Sequence, residues 1–270
     1  YGTALNRPDH RVSAPVVRAG KGGDIYLAWQ DSMERVEESR AGETLEDKVL
    51  IEWPEDYSVE TDTQVYLLKW DGAVWTELGG SASAGGVSAG DDDVSSIAGL
   101  GILPDGNPVI GWSVSGVLRV WAWDGQSWIS LGDAKSKTGP LGRSVEKAYL
   151  VVAGDGSTMA FGMVEDFGYK KHLLARRWKS GSWEVIEPLP ERDSGAQGVT
   201  GEVVGVGDLG GPENFQRPGS VELAWVDNVG PLLLWQGKTG RFGEILAALR
   251  KDRQWEDLGG SASEGGISRS

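Results

Sequence analysis

Cysteine is absent from this 270-residue chain, and histidine nearly so, with only His10 and His172. The first absence removes disulfides, thiolate metal sites and cysteine nucleophiles together. The second leaves no set of histidines for a metal centre within one chain. Basic residues are scarce too: 26 Lys and Arg stand against 40 Asp and Glu, a net charge of −14. Such a surface repels nucleic acid and anionic membranes, so neither is expected as a partner. No stretch approaches 18 consecutive apolar residues, so no membrane insertion is expected. The chain starts at Tyr1 without an initiator methionine or a charged-then-apolar leader. That pattern leads to the expectation of a processed protein or a piece of a longer one.

Glycine and tryptophan are abundant instead, at 41 and 13 residues, and their placement is periodic. Trp70-Asp71-Gly72-Ala73-Val74-Trp75 runs on to Leu78-Gly79-Gly80, and Trp123-Asp124-Gly125-Gln126-Ser127-Trp128 to Leu131-Gly132. Trp178-Lys179-Ser180-Gly181-Ser182-Trp183 is a looser copy, and Trp235-Gln236-Gly237 opens a fourth whose partner, Trp255, comes late. The leading tryptophans are 53, 55 and 57 residues apart. Two connectors match almost letter for letter, SASAGGVS at Ser81–Ser88 and SASEGGIS at Ser261–Ser268. Repeats of this period mark a repeat architecture.

Each repeat also holds an earlier pair of apolar segments. The first is a short β-branched run (Val16-Val17, Ile97 to Ile102, Tyr149 to Val152, Val203-Val204), and the second reads small-then-aromatic. Those small-aromatic pairs are Ala28-Trp29, Gly111-Trp112, Ala160-Phe161 and Ala224-Trp225. Asp-Gly steps between segments supply the positive φ of tight hairpin turns. Four short strands in up-and-down order cannot bury both faces of their sheet alone, whereas successive sheets packed face to face can. The reading is all-β: a β-propeller of four-stranded antiparallel blades, one domain over residues 1–270. The blades span about 10–80, 81–132, 133–189 and 190–260, with 261–270 as a closing connector. Four repeats make a closed four-bladed ring, part of a larger ring, or half of an eight-bladed dimer. Closure by one chain is placed slightly ahead.

The Trp-Asp-Gly-x-x-Trp-x-x-Leu-Gly hairpin with its Ser-Ala-Ser connector resembles the blades of bacterial β-propeller repeat proteins. It is more loosely similar to kelch-type and tachylectin-type propellers. The pattern departs from WD40 repeats, having no Gly-His partner to its Trp-Asp, and it lacks the sialidase-type Asp box. The resemblance implies a fold and carries over no binding residues, since propellers host many functions.

Three insertions interrupt the repeats. The first, 31–62, holds twelve acidic residues against Arg35, Arg40 and Lys48. Within it Trp53, Glu55, Asp56 and Tyr57 are the candidate binding residues, an aromatic contact flanked by carboxylates, although a solvated acidic excursion is the plainer account. The second, 205–218, contains Gly205-Val206-Gly207-Asp208-Leu209-Gly210, a formal dinucleotide fingerprint with no crossover helix after it. It reads as a glycine-rich loop. The third, 238–254, includes Glu244 to Lys251, where acidic-early and basic-late charge and an Ile245, Leu246, Leu249 stripe predict a short helix. Asp91, Asp92 and Asp93 form the candidate metal site: adjacent carboxylates repel unless a cation lies near. No cofactor is expected beyond Ca2+ there, and a solvated turn competes with it.

Twelve of the 13 tryptophans fall at repeat positions, so their number speaks for packing before sugar binding. His172 with Tyr169, Lys170 and Lys171 is the one neighbourhood suited to a lyase, and no paired-carboxylate motif is visible. The expectation is therefore a non-catalytic protein, not an enzyme, exported to the bacterial cell surface or beyond, acting as an interaction or assembly module. A carbohydrate-binding lectin is the alternative, followed by a polysaccharide lyase or hydrolase. Expected partners are a protein or a glycan, with homo-oligomers left open.

Overall fold

The structure, a computed structural model, describes residues 10–36, 59–83, 85–92, 94–165, 171–187, 221–226, 229–239, 242–251 and 254–258. Among the described residues, sixteen strands form four four-stranded antiparallel sheets, each in chain order. The first holds β1 (His10–Ala19), β2 (Ile25–Val36), β3 (Val59–Trp70) and β4 (Trp75–Thr76). The second holds β5 (Val94–Ile102), β6 (Pro108–Val114), β7 (Val117–Trp123) and β8 (Trp128–Ser130). β9 (Lys147–Val152), β10 (Thr158–Glu165), β11 (Lys171–Lys179) and β12 (Ser182–Glu187) make the third. β13 (Val221–Val226), β14 (Gly230–Thr239), β15 (Phe242–Lys251) and β16 (Gln254–Asp257) make the fourth.

The hairpin turns form where Asp-Gly and its relatives occur. Gly72, Gly106, Gly125 and Gly156 all adopt positive φ, which a side chain resists. In the two Trp-Asp-Gly turns the aspartate side chain holds the backbone: Asp71 Oδ1 accepts from the N–H of Ala73 and Val74, and Asp124 Oδ1 from Gln126 and Ser127. These two turns bring tryptophan pairs together across the outer strands, with ring centroids 5.5 Å (Trp70–Trp75) and 5.7 Å (Trp123–Trp128) apart, and the Ser180-Gly181 turn sets Trp178 and Trp183 5.3 Å apart.

Sheets pack through their first strands, β1 beside β5, β5 beside β9 and β9 beside β13. The small residue of each small-aromatic pair lies where that packing is closest. Ala28 and Ala160 are fully buried, and a Cβ on Gly111 would touch Leu150 of the third sheet. The neighbouring Trp112 and Phe161 are also fully buried, filling the space between sheets. One core lies between the first and second sheets (Ala28, Leu67, Leu100, Ile110, Trp112), and another between the second and third (Leu118, Val120, Leu150, Ala160).

The fourth sheet departs from the sequence reading. Glu244 to Lys251 is not helical: it lies on β15, where Ala248 pairs with Leu233 on one side and Asp257 on the other. An eight-residue segment gains little from helix formation alone, whereas a central strand satisfies its backbone on both edges. Trp235 stands on the second strand, opposite Leu246, whereas Trp70, Trp123 and Trp178 stand on third strands, and Ala224, on β13, is exposed. Trp255, opposite Arg250, is the counterpart of Trp128 opposite Trp123. The 57-residue tryptophan spacing therefore joins non-equivalent strands. The ends of the acidic insertion are also strand, with Asp31 to Val36 paired to Val59 to Gln64.

Candidate functional site

Alternation along the first sheet sorts its residues by face. Ser32 of β2 pairs with Arg11 of β1 and with Thr63 of β3, and Gln30 pairs with Ser13, so these five share one face. On that face Tyr26 and Ala28 join the core against the second sheet. Toward the other end of the strands the apolar packing gives way to a cleft of about 290 Å3. It is lined by Arg11, Ser13, Gln30, Ser32, Thr63, Val94 and Ser95. The last two open the second sheet, so the cleft lies between two blades.

Its lining is polar and almost uncharged. Ser32 Oγ and Thr63 Oγ1 are 2.9 Å apart, Gln30 is buried, and Arg11 is exposed. Hydroxyls, an amide and one guanidinium here present both donors and acceptors to a ligand. β2 ends at Val36 and β3 begins at Val59, paired with each other at this same end of the sheet.

Beside the cleft a hydrogen-bonded network ties the connector between the sheets to both of them. Ser88 Oγ accepts from the Val65 N–H at 2.8 Å and donates to Gln64 Oε1 at 2.7 Å. Gln64 Nε2 donates to the Asp91 carbonyl at 3.0 Å and to Asp62 Oδ1 at 2.9 Å. The fully buried Trp112 donates its indole N–H to Asp91 Oδ2 at 2.8 Å, and Arg119 Nε stands 3.8 Å from Oδ1. The carboxylate of Asp91, a metal candidate in the sequence, thus accepts one indole hydrogen bond and has a guanidinium nearby. Asp92 is exposed, and Asp93 lies outside the described residues. Among the described residues no group of three or more His, Asp or Glu could hold a metal ion.

The binding candidates Trp53, Glu55, Asp56 and Tyr57 lie outside the described residues, as do the glycine-rich 205–218 and Tyr169 and Lys170. His172 lies on β11 opposite Val164. The cleft was missed in the sequence because its residues are serines, a threonine and a glutamine from four strands. The available signal was polar residues at alternate positions of strands whose other ends are apolar.

No protein-family model and no curated protein matches the chain. Solved structures do resemble it. A Dyadobacter fermentans protein of unknown function aligns over 94% of this chain and 70% of its own, with 14% identity and a TM-score of 0.49. A family 117 glycoside hydrolase from Zobellia galactanivorans aligns over 92% and 68%, at 13% identity and TM-score 0.46. A fucose lectin from Kordia zhangzhouensis aligns over 66% of this chain and all of its own, at 12% identity and TM-score 0.33. By its own geometry, four-stranded antiparallel sheets packed through their first strands, the chain has the blades of a β-propeller. Several of the similar structures are glycoside hydrolases or glycosidases, among them members of families 117, 130 and 43. This corrects the expectation that the chain is not an enzyme. That expectation rested on missing contiguous motifs, and a fold of separate blades assembles a site from residues distant in sequence, which no motif records.

Proposed function

We propose that this β-propeller recognises carbohydrate, with the cleft between its first and second sheets as a sugar seat. The observation that carries the reading is the cleft's lining: five neutral hydrogen-bonding side chains and one guanidinium around about 290 Å3. Sugars present a dense ring of hydroxyls, each donor and acceptor, and such a lining matches them without burying a charge. The volume is at the small end of ligand cavities, which run from about 300 to 1,000 Å3, so it suits one sugar unit of a longer glycan. Recognition outside the cell, at or beyond the bacterial surface, belongs to the same proposal.

The test is a glycan array with the purified chain, followed by titration of the best glycan against Arg11→Ala and Ser32→Ala. Each substitution should weaken binding at least about tenfold, the worth of one hydrogen bond to a charged or buried group. Incubating the same glycan and assaying new reducing ends reads whether the bound sugar is also cleaved. Binding that survives both substitutions unchanged, or an array without a single glycan bound, overturns the reading.

A further inference from the structure

A bulge in β1 decides which side chains enter the cleft. Val16 pairs with Ala28 and Ser13 with Gln30, and the register shifts between them. Val16 packs on the core between the first and second sheets, so in an unbroken strand Ala14 and Val12 would follow it onto that face. The extra residue sends Ser13 and Arg11 to the cleft instead. Val12, paired with Asp31, is turned to the other face and is 41% exposed. The bulge holds Ala14 at a φ of 48°, left-handed backbone that a side chain resists. This strand therefore turns an apolar residue out and a guanidinium toward the cleft, the reverse of what burial alone selects.

Gln30 points to a ligand independently. It lines the cleft while only 6% exposed, and its amide has no hydrogen-bond partner among the described residues. A buried amide without partners has lost its hydration for nothing, unless a ligand supplies the missing bonds. Arg11 lies opposite Ser32, the next residue of β2 on the face of Gln30. Arg11 and Gln30 are thus diagonal neighbours, about 7–8 Å apart and within reach of long side chains. Arg11 has no carboxylate partner among the described residues either, in a chain of net charge −14. The lining is rich in donors: a guanidinium offers five N–H groups and an amide two, and no Asp or Glu is among the described lining residues.

We infer that the sugar seated in the cleft carries an anionic group, a carboxylate or a sulfate ester, held by the Arg11 guanidinium and the Gln30 amide N–H. The inference rests on the sugar-seat reading above and narrows it to acidic glycans. A guanidinium presents paired N–H groups that match two oxygens of either anion. Ser13, Ser32 and Thr63 then meet hydroxyls of the same sugar unit. The acidic surface of the chain repels anions at large, so retaining an acidic glycan requires a local cation such as Arg11.

The experiment measures binding of the purified chain to matched glycan pairs: uronic acid oligomers with their carboxyl-reduced forms, and sulfated oligomers with their desulfated forms. The acidic member of at least one pair should bind tenfold or more tighter than its neutral counterpart, and the pair that responds tells carboxylate from sulfate. Arg11→Gln should remove that preference, and because Arg11 is exposed the variant should melt as the unaltered chain does. Raising the salt from about 0.05 M to 0.5 M should narrow the preference, since an exposed charge is screened. Gln30→Glu sets a carboxylate against the anion and should abolish binding of the acidic member. If that variant fails to fold, Gln30→Met, which removes the N–H donors at similar volume, should weaken it at least tenfold. Neutral members that bind as tightly as acidic ones overturn this inference and leave the sugar seat standing. A preference that survives Arg11→Gln overturns it too, by placing the anion elsewhere. A chain that binds no glycan overturns both readings.

Discussion

At the scale of single residues, the hairpin aspartates make a pH prediction with a definite sign. Backbone N–H donors at Val74 and Ala73 hold the Asp71 carboxyl below its ordinary value of 3.8, and those of Ser127 and Gln126 do the same for Asp124. At Asp155 the Ser157 hydroxyl and then its N–H lower the value. A group depressed in the folded state contributes stability above its unfolded pKa and loses it as pH falls through the folded value. Comparing the unaltered chain with Asp71→Ala plus Asp124→Ala cancels the titration of the other carboxylates. The two Tm values should differ most at neutral pH and converge as the pH drops below the ordinary aspartate range. A gap that stays constant down to that range would assign the loss to turn propensity alone. A second residue-scale prediction separates conformational cost from space. Gly79 (φ 57°) and Gly22 (φ 73°) both adopt left-handed backbone, but only at Gly79 does a Cβ meet the Trp123 ring, while at Gly22 nothing lies within 4 Å. Gly22→Ala should therefore cost about 1 kcal/mol and Gly79→Ala distinctly more, read from urea midpoints.

At the scale of elements, the first strands decide how the sheets associate, because sheets meet through them. A Cβ on Gly99 of β5 would stand 2.2 Å from the Leu150 carbonyl of β9, and one on Gly101 2.3 Å from Val152. The obstacle at Gly99 is backbone, which cannot rotate away, so Gly99→Ala should lower stability by several kcal/mol, toward the upper range for overpacking. Ala98→Gly, one residue away and without that obstacle, should cost about 1 kcal/mol or less. Equal costs would mean that β5 and β9 are not in contact in solution. The strands themselves were legible in the sequence wherever alternation and Asp-Gly turns coincided, as from Val94 to Ser130. They were illegible in the fourth repeat, where Glu244 to Lys251 satisfies helical and strand patterns alike. There the decision comes from β14 and β16 on either side, and pairing partners are not a property of the segment. The cleft was hidden for a related reason. Arg11, Gln30, Thr63 and Ser95 acquire meaning when four strands align, and none belongs to a motif. Around Asp91 the run of carboxylates was conspicuous in the sequence, while its indole donor, Trp112, lies in another strand.

At the scale of the whole molecule, each described sheet packs chiefly on its chain neighbours, so stability is a sum of sheet and junction contributions. The second and third sheets have neighbours on both sides. Of the largest fully buried side chains, Trp112, Leu100, Ile110, Leu118, Val109 and Val120 belong to the second, and Phe161 and Met159 to the third. The first sheet contributes Val65 and Leu67, both on the strand next to its connector. Amide hydrogen exchange should consequently be slowest across β6, β7 and β10, the innermost layers of this stack. It should be faster by tenfold or more in β1, whose residues Val12 and Val17 are exposed. Protection that is uniform across all the described sheets would show instead that they open together, as one cooperative unit.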